Sequence, residues 1–307
     1  MLRTLAIFAF LTGTAYAQVD LLEASTLSKE ALALQQQGRP AEAVVIYTRA
    51  LKLREKQLGP HHPDVAAALN NLGVALRLDA RPNEAGPVFL QSLAIAEECG
   101  DNHLLATVLG GLGATLVDLG QFDRAEPVLR RSLAMFEQAS GPASVEAAEA
   151  GNNLAMLYRR NGHLARAQEQ MEHVLPLLEQ RLGSRDPEFA KALNGMFVIL
   201  AEQNQWDQAE PYVRRALAIG QQVFPDSIQM AEFRENLALV AAHRHEFQAA
   251  ASLLGDAITA KERLLGAKDP QLADSLENYS AYLKQINQKA EAKHAADRAR
   301  DIRKTLR

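Results

Sequence analysis

An alanine recurs seven times along this chain at a nearly constant interval. The positions are Ala43, Ala85, Ala125, Ala167, Ala209, Ala250 and Ala292, so the successive steps are 42, 40, 42, 42, 41 and 42 residues. Self-similarity at a period between about 20 and 50 residues is the sequence signature of a repeat architecture. The period therefore predicts a solenoid of stacked units, which serves mainly as an extended binding surface.

Each period contains the pattern of two helices. A large apolar residue stands before most of the alanines, and the members of this series are Leu72, Leu112, Leu154, Met196, Leu237 and Tyr279. A residue that tolerates the left-handed conformation, such as Gly120 or Asn204, then ends the first helix. The alanine lies in the second helix, and its small size lets two helices cross closely. Since no strand-like alternation persists, we predict an all-α fold.

The segments 61–98 and 151–194 carry the repeated pattern most clearly, each with the recurring apolar residue, the turn and the alanine. They resemble the tetratricopeptide repeat family in its longer, kinesin light chain-like form. The resemblance covers about residues 25 to 307 and implies a right-handed α–α superhelical solenoid of about seven helix pairs in one elongated domain. The expected repeats are 25–58, 64–99, 104–140, 146–182, 188–224, 228–265 and 271–307, after a lead-in at 18–24.

Residues 1–17 have the organisation of a secretory signal peptide. Arg3 supplies the positive charge, residues 5–11 form a short apolar core, and Ala15-Tyr16-Ala17 fits the small-x-small cleavage pattern. We expect cleavage between Ala17 and Gln18 and a periplasmic or extracellular protein. An uncleaved hydrophobic tail is the alternative interpretation, although the apolar run is too short for a stable membrane anchor.

Residue patterns typical of catalysis are missing from the sequence. There is no nucleophile elbow, phosphate loop or zinc-binding helix, and the histidines have no metal-ligand spacing. We interpret Gly110-Gly111-x-Gly113 as a site of close helix packing and Cys99 as a small packing residue. The net charge of −4 argues against a nucleic-acid-binding protein. We therefore expect neither an enzyme nor a site for a metal or cofactor.

The resemblance implies that the first helices line a groove that binds a peptide. Asparagines there can pair with a peptide backbone without reading its sequence, because their side chains both donate and accept. The family's use of asparagine carries over to Asn71, Asn153, Asn236 and Asn278, whereas Gly111 and Gly195 interrupt the row. The full set of candidate groove residues is Asn70, Asn71, Arg77, Asn152, Asn153, Arg159, Arg160, Lys191, Asn194, Glu235, Asn236 and Asn278.

Charges along the same face change sign from the middle of the groove to its far end. Arg77, Arg159, Arg160 and Lys191 make the middle basic, and the far end is acidic at Glu232, Glu235, Asp274 and Glu277. A ligand with complementary charges at its two ends would be steered by this pattern. The alternative interpretation is that the charges only keep an exposed groove hydrated.

Three functions remain open at this point. The first is an exported, non-catalytic scaffold that binds a peptide or a segment of a partner protein in the groove. The second is an assembly module that self-associates through its terminal repeats into a homo-oligomer. The third is the recognition subunit of an enzyme on another chain. Because fold alone implies no function, the residues of the groove must decide between them.

Overall fold

The computed structural model describes residues 2–305 of the chain, and side chains for residues 18–304. This part of the chain folds into α-helices joined by short turns. The helices are α1 (Leu2–Gln36), α2 (Pro40–Leu58), α3 (Pro63–Leu78), α4 (Pro82–Cys99), α5 (Asn102–Asp118), α6 (Phe122–Ser140), α7 (Val145–Arg160), α8 (Leu164–Leu182), α9 (Pro187–Glu202), α10 (Trp206–Val223), α11 (Ile228–His243), α12 (Phe247–Leu265), α13 (Leu272–Gln285) and α14 (Lys289–Thr305). The predicted all-α solenoid of helix pairs is confirmed.

The odd-numbered helices are the first helices of the repeats, and the even-numbered helices are the second helices. The chain forms two compact units, Met1–Leu157 and Tyr158–Arg307. Within each unit a first helix packs on its own second helix, and that second helix packs on the first helix that follows. First helices of neighbouring repeats also touch, as α3 and α5 do in the first unit and α9 and α11 do in the second.

The recurring alanines lie where helices cross. Each of the seven is between 0% and 1% exposed, which confirms the packing role that their small size predicts. Two buried serines strengthen the same crossings, because Ser92 Oγ donates to the carbonyl oxygen of Ala66 and Ser132 Oγ donates to that of Ala106, both at 2.7 Å. Small residues and short hydroxyl bonds therefore hold second helices close to first helices.

A left-handed residue ends the first helix of every repeat at the same position. Glycine or asparagine supplies it in five repeats, as the sequence predicts, but Ala80 and His245 adopt φ values of 56° and 60° in the other two. In each repeat the next backbone N–H bonds to a carbonyl oxygen five residues earlier, for example Arg81 N to Leu76 O at 2.9 Å. This bond satisfies a helix-terminal carbonyl and offsets the cost of the left-handed conformation.

The glycines of the third repeat permit close helix packing, as predicted. A Cβ atom at Gly111 would stand 2.3 Å from the ring of Phe89, and one at Gly113 would stand 2.5 Å from the side chain of Leu129. Gly73 in the preceding repeat approaches the opposite part of the Phe89 ring in the same way. Phe89 is fully buried, and its ring fills the space that side chains at positions 73 and 111 would otherwise occupy.

The N-terminal expectations have different outcomes. The signal peptide predicted at residues 1–17 lies outside the residues whose side chains the structure describes, and α1 continues without a break through the lead-in. Ala24 and Leu27 of this helix are buried near Ala50. In the described part of the chain, none of the helices has the length and apolar character needed to span a bilayer.

The prediction that Cys99 is a packing residue is wrong. Cys99 is exposed, and its Sγ lies 3.6 Å from the carbonyl oxygen of His61. Since Cys99 is the last residue of α4, it lies beyond the part of that helix which packs against neighbours.

Candidate functional site

The candidate groove residues lie on first helices in both units. The first unit contains Asn70, Asn71 and Arg77 on α3, with Asn152 and Asn153 on α7. The second unit contains Arg159 and Arg160 on α7, Lys191 and Asn194 on α9, Glu235 and Asn236 on α11, and Asn278 on α13. These residues therefore form two sets of polar side chains.

Asparagines of neighbouring repeats meet in a fixed register. Asn236 Nδ2 donates to Asn194 Oδ1 at 2.7 Å. Asn236 directly precedes the recurring apolar residue of its repeat, and Asn194 stands two residues before that of the preceding repeat. Asn153 and Gly110 have the same relation, and Asn153 Nδ2 lies 3.8 Å from the place of a Cβ atom at Gly110. The residue two places before the recurring apolar residue of one repeat is thus aligned with the residue one place before the recurring apolar residue of the next repeat.

This register is interrupted at Asn70. The side chain is only 8% exposed, and its Oδ1 has no hydrogen-bond partner within the described residues. By the register that joins Asn194 to Asn236, the donor for this oxygen would come from position 111, which is a glycine. Because the Phe89 ring occupies the space beside Gly111, no side chain fits there. Phe89 therefore leaves a buried acceptor unpaired, which costs about 1–3 kcal/mol.

Arg77 stands two helical turns after Asn70 on α3, which places the two side chains on nearly the same face. Its Nη1 donates to Asp118 Oδ2 on α5 at 3.2 Å. Its Nε is buried and has no hydrogen-bond partner in the described structure. The face of the first unit thus combines an unpaired acceptor at Asn70 with an unpaired donor at Arg77.

The basic residues predicted in the second unit have acidic neighbours. Arg159 Nη1 lies 2.6 Å from Glu202 Oε1, and Lys191 Nζ lies 2.7 Å from Glu188 Oε1. Arg160 is exposed beside Arg159. Since these pairs largely cancel in charge, the basic middle of the groove has a weaker field than its sequence suggests.

The acidic residues of the second unit are also bonded within the chain. Lys261 Nζ, from the second helix α12, donates to Glu235 Oε2 at 2.7 Å, and Ser275 Oγ donates to the other oxygen of the same carboxylate. Arg303 on α14 bonds to Glu277 at 2.9 Å and to Asp274 at 2.6 Å. Lys261 and Arg303 were not among the predicted site residues, because only residues on first helices were considered and these two lie on second helices. The separation of 26 residues that Lys261 has from Glu235, and Arg303 from Glu277, is the sequence signal that could have revealed them.

The carboxyl group of Glu232, on the same face, has a raised pKa. The surrounding helices displace water from it and raise its pKa, an effect that the nearby Lys261 opposes and the nearby Glu235 reinforces. The Glu232 side chain is exposed at the surface, and the packing around its carboxyl group still disfavours the charged form. Asn278 is exposed and borders a small pocket of about 130 Å³ together with Glu235 and Asn236.

Groups that could hold a metal ion are not found in the part of the chain that the structure describes. The polar residues of the first-helix face are mainly amides and charge pairs. Such groups suit hydrogen bonding to a bound chain, since amides donate and accept at once.

Comparison with known proteins identifies the repeat. A family model described as tetratricopeptide repeat matches residues 22–98, 81–138, 104–180, 146–222 and 188–263, which together span well over half of the chain. The chain is 24% identical over 225 residues to "Protein KINESIN LIGHT CHAIN-RELATED 3" of Arabidopsis thaliana. That match covers 59% of this chain and 35% of the relative, so the chain spans well under half of the relative's length.

Solved structures share the fold at low identity. BtubC (BKLC) from P. vanneervenii has a TM-score of 0.64 and 21% identity, over 73% of this chain and 92% of that one. A Rap protein complexed with Competence and Sporulation Factor has a TM-score of 0.71 and 16% identity, over 93% of this chain and 76% of that one. The repeat matches show that the chain belongs to the tetratricopeptide repeat family, and its similarity to a kinesin light chain-related protein agrees with the longer form of the repeat.

Proposed function

We propose that this protein is a non-catalytic scaffold that binds an extended segment of a partner protein along its first-helix face. The observation that carries the proposal is the interrupted asparagine register of the first unit. Asn70 Oδ1 is a buried acceptor without a donor, and Asn153 Nδ2 faces Gly110, which has no side chain to bond. A peptide backbone offers an N–H and a C=O at every residue and can supply both missing partners.

Peptide binding would remove the free-energy penalty of the unpaired Asn70 acceptor in the free protein. A rotation of the Asn70 side chain turns its oxygen toward a ligand N–H, and the penalty of the unpaired acceptor is then lost. Polar groups of the second unit would contribute less binding free energy, because Asn194 and Asn236 already bond to each other and Glu235 already bonds to Lys261. The strongest contacts of the ligand are therefore expected on α3, α5 and α7. The Rap conjugation gene regulator of the plasmid pLS20, which has a similar fold, was solved in complex with the Phr* peptide, and this supports a ligand of this class.

A displayed library of random peptides, panned against the full chain, tests this function. The affinities of selected peptides are then measured for the wild type, for Asn153→Ala and for the matched control Asn236→Ala. We expect Asn153→Ala to weaken binding about fivefold to tenfold, the equivalent of one lost hydrogen bond. Asn236→Ala is expected to change affinity little, because the amide it removes is bonded to Asn194.

Equal losses in the two variants would place the ligand elsewhere on the protein. An unchanged affinity of the selected peptides for Asn153→Ala would also place the ligand elsewhere on the protein. If no peptide is selected and the protein forms a concentration-dependent oligomer, the assembly function replaces this one. A monomer that binds only in the presence of an enzyme subunit would favour the recognition-subunit function.

We further propose that the scaffold acts outside the cytoplasm, after its leader is removed between Ala17 and Gln18. Support comes from the charged, apolar and small-x-small order of residues 1–17. Mass spectrometry of the protein from the exported fraction of its source is expected to find an N-terminus at Gln18. Ala17→Arg is expected to block the cleavage, because the position before the cut requires a small residue. A wild-type protein that retains Met1 would contradict export by this route.

A further inference from the structure

A cleft opens between two second helices of the second unit, on the other layer from the first-helix face. It has a volume of about 740 Å³ and lies between α12 and α14, with Leu276 and Tyr279 of α13 among its lining residues. Its size falls in the range of about 300–1,000 Å³ that is usual for ligand-binding clefts. Nothing in the proposed peptide function uses this cleft.

Gly255 keeps the cleft open on the side of α12. It stands five residues after Ala250, where the five preceding repeats carry Thr48, Leu90, Arg130, Glu172 and Arg214. A Cβ atom at Gly255 would lie 3.5 Å from the Tyr279 hydroxyl, which is an ordinary contact. Alanine would therefore fit, whereas a side chain as long as those of the other repeats would extend into the cleft.

Tyr279 brings a polar group to the same place. It occupies the position of the recurring leucine or methionine, and its longer side chain carries a hydroxyl up to Gly255 on α12. Burial raises the pKa of this phenol, and the carboxylates of Glu291 and Asp256 raise it further. Both carboxylates line the cleft together with the phenol.

The cleft has an excess of negative charge. Glu262 is neutralised by an ion pair with Arg298 across the cleft. No salt bridge joins Asp256 or Glu291 to a cation among the described side chains. His294 also lines the cleft, and exposed Ala290 with the half-buried ring of Tyr279 provides apolar surface beside the charges. The site thus offers two open carboxylates, a phenol oxygen and an apolar wall.

We propose that this cleft binds a lysine- or arginine-bearing segment of a partner protein. The cationic head would lie between Asp256 and Glu291 and donate to the Tyr279 oxygen, and the aliphatic stem would cover the Tyr279 ring and Ala290. Long cationic side chains combine these two kinds of contact, because a methylene stem packs on apolar surface while its charged end bonds to carboxylates. Charge complementarity selects this occupant over an acidic or neutral segment.

Fluorescence anisotropy with two labelled peptides and the full chain tests the proposal. One peptide alternates lysine and leucine, and the other has glutamate in place of every lysine. The variants are Gly255→Leu, which restores the residue type of Leu90 and fills the cleft, and Gly255→Ala as its matched control. An Asp256→Asn, Glu291→Gln double variant removes the open charges without changing side-chain size. Circular dichroism and the Tm confirm that each variant is folded.

The lysine peptide is expected to bind the wild type and Gly255→Ala equally, and to bind both other variants about tenfold more weakly. The glutamate peptide is expected not to bind. Asn153→Ala, which changes the first-helix face, should leave the affinity of the lysine peptide unchanged. Absence of lysine-peptide binding to the wild type would overturn the proposal. So would an affinity that Gly255→Leu does not reduce, or an equal affinity for the glutamate peptide.

Discussion

Phe89 accounts for two features of the first unit. Its buried ring fits between Gly73 and Gly111, where any Cβ atom would clash with it. The same ring prevents position 111 from carrying the amide that would bond to Asn70 Oδ1. One aromatic side chain thus both packs three helices together and leaves a buried polar group without a partner. At this site packing stabilises the fold, and the unpaired group it creates is the basis of the proposed function.

Gly111→Ala is expected to destabilise the protein by about 2 kcal/mol or more. The added Cβ atom would stand 2.3 Å from a buried ring that cannot move away, and overpacking of this kind typically costs about 1–3 kcal/mol. The free energy of unfolding, measured with urea, checks the result.

Gly255→Ala is the matched control, since Gly255 also lies within a helix and a Cβ atom there would make only an ordinary contact of 3.5 Å. There the substitution should stabilise by about 0.5–1 kcal/mol through helix propensity alone. If both variants behaved alike, the contact between Phe89 and Gly111 would have no energetic effect.

At the scale of the helix, second helices carry cations that bond to first helices of the same repeat. Arg54 donates to Ser28, Lys261 to Glu235 and Arg303 to Glu277, each across 26 residues. This separation is also that of the serine bonds to Ala66 and Ala106. It reflects the constant alignment of the two helices within a repeat. A polar residue on the proposed binding face can therefore be occupied by its own second helix.

Lys261→Met tests the most buried of these bonds. Lys261 is 5% exposed, so its removal would leave the Glu235 carboxylate without its cation in a partly buried place. We expect a loss of stability on the order of 3 kcal/mol, as is usual when one partner of a buried ion pair is removed. Thermal unfolding at neutral pH measures the effect.

The double variant Lys261→Met, Glu235→Gln should recover most of that loss, because it removes both charges. A double variant as unstable as the single one would show that Lys261 stabilises through packing rather than through its charge.

At the scale of the whole molecule, stability is distributed over repeats, because each repeat packs only on its neighbours. The charge balance of −4 is correspondingly spread along the chain, with most of the charged groups of the proposed binding face in ion pairs. Glu232 departs from this pattern, because its folded environment disfavours the ionised form.

Stability is therefore expected to respond to the ionisation of Glu232. The pKa of its carboxyl group lies above the ordinary 4.5 in the folded protein, so the folded state holds the proton more tightly than the unfolded state. The stabilising contribution is complete below pH 4.5 and is lost as the pH rises through the raised pKa. Glu232→Gln should raise the Tm at pH 7, and this advantage should disappear in acid.

Unfolding curves for wild type and variant across the pH range measure this difference. Glu169→Gln removes another exposed carboxyl group, on α8 in the same unit; it is the control and should have little effect. A Glu232→Gln protein whose Tm is unchanged at pH 7 would contradict a raised pKa of the Glu232 carboxyl group.

The site was only partly predictable from the amino-acid pattern. The resemblance located the asparagines on first helices, because their positions follow the repeat. It could not show that Asn236 bonds to Asn194, that Lys261 neutralises Glu235, or that Glu202 pairs with Arg159. These bonds join residues between 26 and 43 positions apart, and their formation depends on side-chain reach and rotamer. Whether these groove residues bind a ligand remains a prediction.

The sequence by itself determined the helical repeat, because the spacing of alanine, leucine and turn residues allows each unit to bury its apolar surface in only one way. It also determined where first helices end, apart from the left-handed conformations of Ala80 and His245. Only the tertiary structure decided which polar groups stay unpaired and where a cleft opens. Those outcomes depend on volumes and angles between neighbouring helices, such as the space that Phe89 fills beside Gly111 and the space that Gly255 leaves beside Tyr279.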